Sequence, residues 1–389
     1  FTWNPQSRLW RRFSFGLPIF AALLWSALDA LRFETPLAHG WGSLAYTQWS
    51  DAALLQTSRW AGQHGLTALC VWFAACLALW LERSSRRRCR LWLAPVTVFT
   101  ALHLYGAFHL ETSQPDSDAP RLRVLLVQTN VPSLSKNFGS SGESALQQAM
   151  RLTREGTARE KFDLVVWPET TLNAGRLDLR GAESTTGFGA NLSLEMELAR
   201  RLSRDINTPI LFGANTASIG QRRELVNAAI LVSPSGKIDA SAKSRLVPFG
   251  ERAPWSDALP FLRRLAPDPP VAFADRVQTL PLETPYGTIR IGALICFESC
   301  FRYPARQLQL GGVQALFVLT NDEWFDGTNA PWEHAAMTTL RAAENGVPVA
   351  QSVNGGYACA VDPNGRFVLK SSYGRESAWS VDLPLVQSR

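Results

Sequence analysis

Three apolar stretches without a single Asp, Glu, Lys or Arg lie inside the first 110 residues: Phe13 to Leu28, Leu66 to Leu81 and Leu91 to Leu110. Nothing else in the chain constrains its fold as strongly, because an uncharged run near ~17–25 residues reads as a helix that crosses a bilayer. The third run is long enough as it stands. The first two are shorter and are extended by tolerated neighbours, so spans are predicted at 13–33, 63–81 and 91–110. Trp25, Trp72, Trp80 and Trp92 lie in or beside these runs, where those near the ends suit the membrane interface. Arg8, Arg11 and Arg12 precede the first run, and Arg83, Arg86, Arg87, Arg88 and Arg90 separate the second from the third. Lys and Arg are retained on the cytoplasmic side. Three crossings satisfy that rule at both clusters and carry everything after Leu110 outside.

The second cluster supplies most of the net charge of +6, so the basic pI reflects a membrane-flanking segment, and nucleic acid is not expected as a partner. Six cysteines without paired zinc-ligand spacing exclude a disulfide scaffold, and single histidines such as His109 and His334 predict no metal site. The chain opens on Phe1 rather than Met and reads as a fragment or trimmed chain.

Residues 112–121 are polar and proline-containing, a predicted linker between a membrane region at 1–111 and a domain at 122–389. Within the domain, short β-rich runs occur at 123–128, 162–167, 209–214, 227–233, 288–295, 315–320 and 348–353, several of them apolar throughout, as in strands covered on both faces. Helical patterns fall between many of them, at 143–159, 192–204 and 332–345. The segments 234–237 and 363–366 read as turns joining antiparallel strands. This alternation implies an α/β layered domain.

Strand ends are where α/β domains expose reactive groups. Glu169 follows the run ending in Trp167, and Cys296, Phe297 and Glu298 follow the run ending in Ile295. The segment Lys243 to Glu251 comes after a third. A helix is expected to start at Cys296, where its N-terminal N–H groups would favour thiolate. Cys300, one turn later, is expected to pack rather than to form a disulfide.

Trp167-Pro168-Glu169, the Lys243 to Glu251 segment and Leu294 to Glu298 resemble the three signatures of the nitrilase, or carbon–nitrogen hydrolase, superfamily. Leu246 to Glu251, Asn321 to Phe325, and in the membrane part Ala27 to Arg32 and Leu44 to Gln48, are similar to segments of the apolipoprotein N-acyltransferase family. That resemblance implies an α-β-β-α sandwich preceded by transmembrane helices, with a membrane part shorter than the family's. It implies a Glu169, Lys243 and Cys296 triad, supported by Glu251 and Glu298, with Trp324, Phe297 and Asn227 as pocket residues. Asn137 and Phe138 stand where family members often carry a tryptophan.

The activity implied is transfer of a fatty acyl chain from a phospholipid, through a Cys296 thioester, to the α-amino group of a diacylglyceryl-modified apolipoprotein. No cofactor or metal is needed. The implied location is a bacterial inner membrane, multi-pass, with the domain on the periplasmic side. Two other readings remain: a membrane-tethered amidase in which water resolves the thioester, and a catalytically silent membrane scaffold.

Overall fold

Leucines, alanines and aromatics without charge leave only helix as a way to satisfy backbone polar groups in lipid, and three long segments near the start of the chain take it. The computed structural model describes residues 16–82, 88–113, 119–132, 143–177, 192–218, 225–256, 258–265 and 271–386, with the side chains of 82 and 88–92 excepted. Both arginine clusters and the positions Asn137 and Phe138 therefore lie outside the described residues or side chains. The chain divides into two units, Phe1–Gln114 and Pro115–Arg389.

In the first unit, α1 (Gly16–Glu34), α2 (Ser58–Glu82) and α3 (Arg88–Thr112) are each long and apolar enough to cross a membrane. The second begins five residues before the predicted span, and its first turn is set off by a kink at Gly62, whose φ of 66° a side chain would resist. Ser26 Oγ donates to the His64 carbonyl just past that kink, at 2.7 Å. Leu23, Leu28 and Leu31 of α1 are exposed, the face such a helix presents to lipid tails. Its opposite face buries Asp29, whose Oδ1 accepts from Arg32 Nη2 at 2.8 Å. Asp29 Oδ2 accepts from Ser43 Oγ at 3.0 Å and lies 3.3 Å from His64 Nδ1.

The second unit is built on fourteen strands among the described residues. One sheet runs β14 (Ser377–Pro384), β1 (Arg121–Gln128), β2 (Leu164–Val166), β4 (Ile210–Ser218), β5 (Leu225–Val232) and β6 (Ile238–Ala242), with β3 (Leu172–Leu177) beside β4 and β7 (Val271–Ala272) beside β5. The other runs β13 (Phe367–Lys370), β12 (Cys359–Val361), β11 (Val349–Asn354), β10 (Ala315–Asn321), β9 (Gly287–Ile295) and β8 (Thr279–Thr284). Inward residues of the two sheets, among them Val124, Leu126, Ile291 and Phe317, form one shared core. Helices α4 (Ala145–Thr157) and α5 (Leu194–Ile206) cover the first sheet. Helices α6 (Arg302–Leu310) and α7 (Ala330–Asn345) cover the second. The result is an α-β-β-α sandwich in which β2, β10 and β11 are buried along their whole length; β2 is apolar throughout and β10 nearly so, whereas β11 buries Gln351, Ser352 and Asn354 by hydrogen-bonding each to a backbone carbonyl.

Ser144 and Ser193 cap α4 and α5 by accepting from the N–H groups of Gln147 and Met196, and Asn207 ends α5 in the left-handed region. Both predicted turns join antiparallel pairs, β5 to β6 and β12 to β13. Strands β3, β7, β8 and β14 have no counterpart among the predicted runs, and β6, β12 and β13 are implied only by the two turns. The closing strand β14 pairs with β1 along eight residues, a partnership of segments about 250 positions apart.

Candidate active site

Glu169 stands at the turn leaving β2, and the chain beneath it is glycine for a steric reason. A Cβ on Gly213 would lie 2.4 Å from the Glu169 Cα, so any side chain there would push the carboxylate out of place. Glu169 Oε1 accepts from Asn227 Nδ2 at 2.7 Å and from Lys243 Nζ at 3.3 Å, while Oε2 accepts from the Asn321 backbone N–H at 3.2 Å. Three strand ends, β2, β5 and β10, thus hold one carboxylate.

Lys243 follows β6 and is 1% exposed. Its ammonium also donates to Glu251 Oε1 at 2.8 Å. Glu251 Oε2 accepts from the Val247 N–H at 2.9 Å, so the 247–252 loop closes on itself and delivers its acid to the lysine. Burial alone would lower the Lys243 pKa, but the charges of Glu169 and Glu251 outweigh it and hold the amine above the usual lysine range.

Cys296 leaves β9 with φ at 48°, a left-handed conformation rare for a side-chain-bearing residue. The segment is a 3₁₀ turn, Cys296–Cys300, and the α-helix begins only at Arg302. The expected thiolate is therefore not what the site favours at rest. Burial first, and the charge of Glu169 second, push the Cys296 thiol well above its ordinary range, against the opposing pull of Lys243 and Thr320. Of the three cysteines in this unit, Cys300 and Cys359 are buried and Cys296 alone is partly exposed.

Glu298 is fully buried and binds the backbone of the lysine loop. Its Oε1 accepts from Ser244 N at 2.7 Å, Ser244 Oγ at 2.6 Å and Arg245 N at 3.3 Å, and its Oε2 from Ile295 N at 2.8 Å. Burial raises its pKa, though these donors oppose the rise. One carboxylate clasps the start of the cysteine turn to the loop after Lys243.

These groups open onto a cavity of about 840 Å³, lined by Glu169, Asn227, Lys243, Glu251, Cys296 and Trp324 among others. Trp324 is 68% exposed at this wall. Phe297 is elsewhere: it is buried against Phe301, with ring centroids 4.9 Å apart, because its neighbour Cys296 takes the cavity side of the turn. Among the described residues no cluster of three or more His, Cys, Asp or Glu is disposed to hold a metal ion. Sequence reasoning missed His334 and Asp322, both fully buried and 2.8 Å apart. The signal was a histidine and an aspartate on either side of one strand-to-helix connection, and nothing in their spacing shows that they meet.

Residues 123–389 match the carbon-nitrogen hydrolase family, and residues 2–76 match the apolipoprotein N-acyltransferase N-terminal domain. An apolipoprotein N-acyltransferase of Bdellovibrio bacteriovorus is 30% identical, over 96% of this chain and 68% of its own length. The chain belongs to the apolipoprotein N-acyltransferase branch of the carbon-nitrogen hydrolase family. A Geobacter metallireducens apolipoprotein N-acyltransferase is 32% identical over 90% of this chain and 65% of its own. One from Chlorobaculum tepidum is 26% identical over 93% and 70%. The chain thus spans about two thirds of the length of these apolipoprotein N-acyltransferases.

Proposed function

We propose that this chain is a membrane-bound N-acyltransferase that moves a fatty acyl chain from a phospholipid to the N-terminal amine of a diacylglyceryl-modified lipoprotein. The observation that carries the chemistry is the convergence of Glu169, Lys243 and Cys296 on one cavity, with the two carboxylates Glu169 and Glu251 on the lysine.

A thiol held in its neutral form needs a base at the moment of attack. Glu169 takes the Cys296 proton as Sγ bonds to the ester carbonyl carbon. Lys243, kept cationic by its two carboxylates, stabilises the oxyanion. Collapse breaks the ester C–O bond, and the proton held by Glu169 goes to the departing glycerol oxygen, leaving a lysophospholipid and a Cys296 thioester. In the second half-reaction the lipoprotein amine attacks the thioester carbonyl. Glu169 removes the amine's proton and returns it to the sulfur as the C–S bond breaks. Glu251 sets the lysine, Glu298 fixes the lysine loop against the cysteine turn, and Asn227 orients Glu169 by its 2.7 Å hydrogen bond. Trp324 lines the acyl side of the cavity.

The three apolar helices anchor the protein in a bacterial inner membrane, and the arginines between the second and third remain cytoplasmic. The domain then faces the periplasm. Intact-mass analysis after incubation with phospholipid tests the first half-reaction: a Cys296-dependent acyl adduct is expected, and it should transfer to a diacylglyceryl peptide. An adduct discharged by water alone, with the peptide left unmodified, would instead establish an amidase-like hydrolase. A membrane-impermeant protease that reached the arginine loop in intact cells, and spared the domain, would reverse the topology.

A further inference from the structure

Beneath the cysteine turn lies a polar chain with no part in the acyl transfer just described. His334 of α7 is fully buried, with Nδ1 2.8 Å from Asp322 Oδ1. Its Nε2 lies 2.7 Å from Ser299 Oγ and 3.2 Å from the backbone carbonyl oxygen of Cys296. Ser299 Oγ in turn donates to that same carbonyl at 2.9 Å. Thr320 Oγ1 donates to Asp322 Oδ1 at 2.8 Å, which ties the aspartate to the end of β10.

Counting hydrogens defines the state of the ring. Nδ1 faces a carboxylate and Nε2 a backbone carbonyl, oxygens that only accept, with the Ser299 hydroxyl directed at the same carbonyl, and a ring protonated on both nitrogens satisfies these contacts. Burial by itself would lower the His334 pKa, but Asp322 and the Cys296 carbonyl raise it, in agreement with the doubly protonated ring. Both ring nitrogens already have oxygen partners, so the imidazole holds rather than shuttles protons.

What it holds is a residue whose backbone needs holding. Cys296 sits at φ 48°, and such conformations persist only where surrounding structure over-determines them. We propose that His334, braced by Asp322 and working with Ser299, is a positioning residue that pins the carbonyl of Cys296 and so keeps the nucleophile's turn left-handed, with Sγ on the cavity side. The proposal rests on Cys296 being the nucleophile.

The two amide replacements separate this role from simple packing. Gln places its amide nitrogen where Nε2 stood and can still donate toward Cys296, whereas Asn reproduces the Nδ1 side and keeps only Asp322. The full chain in detergent micelles is mixed with p-nitrophenyl butyrate, and the first-turnover burst of p-nitrophenol is followed across ester concentrations. His334→Asn should slow the burst ~10–10²-fold at an unchanged half-saturating ester concentration, the size expected when a reacting atom is misplaced by about an ångström. His334→Gln should recover most of that loss. Ser299→Ala, which removes one of the two donors without touching the buried ion pair, should slow the burst several-fold and decides the matter where the histidine variants fail to fold. A wild-type burst in His334→Asn, equal loss in Asn and Gln, or no effect of Ser299→Ala would overturn the positioning role. Cys296→Ala serves as the control: a surviving butyryl adduct there would refute the nucleophile assignment itself.

Discussion

Asp29 and Lys243 are both buried charges, one among the membrane helices and the other in the sandwich, and their surroundings use them in opposite ways. Both oxygens of Asp29 are taken up by Arg32, Ser43 and His64, so its charge is spent within the helical unit. The Lys243 ammonium has two carboxylates at its back and a cavity of about 840 Å³ in front. A closed polar knot of this kind joins one apolar helix to the next. An open one keeps its charge directed at whatever enters. The contrast teaches that burial of a charge is not itself a mark of chemistry; the unfilled space beside it is.

Cys296→Ala is the severest test of that contrast. It should abolish the acyl adduct, while Cys300→Ala and Cys359→Ala, both buried away from the cavity, should leave it, as intact-mass analysis will read. Loss of the adduct in Cys300→Ala alone would break the comparison at its centre.

Removal of the base comes next. Glu169→Gln should slow single-turnover acylation by ~10²–10⁴. Because the Cys296 thiol titrates well above its ordinary range, thiolate is scarce at neutral pH and grows as pH rises, so the rate should climb steadily to about pH 9.5. Loss of the Glu169 charge helps, since that charge is one of the causes of the rise. Lys243→Met deprives the oxyanion of its cation, which alkali cannot restore, so no pH recovery is expected. It also strands two carboxylates, and unfolding should show a loss of about 3–5 kcal/mol. Equal recovery of both variants would mean that the roles are wrongly divided.

Asp29→Asn sharpens the other side. Weakening a hydrogen-bonded pair between membrane helices should cost about 0.5–2 kcal/mol in a detergent unfolding assay. Alkylation of Cys296 by iodoacetamide should proceed at the wild-type rate. A drop in that rate at unchanged stability would show that the closed knot also serves the chemistry.

The smallest effect is expected at the cavity rim. Trp324→Ala removes an exposed indole, and the donor KM should rise several-fold with little change in kcat, since an aromatic wall contributes binding area rather than charge at the reacting centre. A fall in kcat with KM constant would move Trp324 into the reacting assembly.

Period and composition alone determined much of this protein. Uncharged runs dictated the membrane helices, apolar runs several of the buried strands, and Glu169 and Cys296 stood out because each comes just after such a run, where an α/β domain exposes its side chains, while Lys243 stood out through the resemblance of its segment to a family signature. Local patterns carry such information because helices and strands are built from near neighbours. Pairing of β14 with β1, the clasp of Glu298 on Ser244 and the seating of His334 under Cys296 join positions from 38 to about 260 residues apart. No period encodes those distances. The same holds for the thiol: its place in the chain suggested an easily formed thiolate, but a 3₁₀ turn, burial and the Glu169 charge reversed that, since a pKa is set by everything within reach of the group. Phe297 and Cys296 are adjacent in the chain, and only the left-handed turn between strand and helix decided which of them faces the cavity.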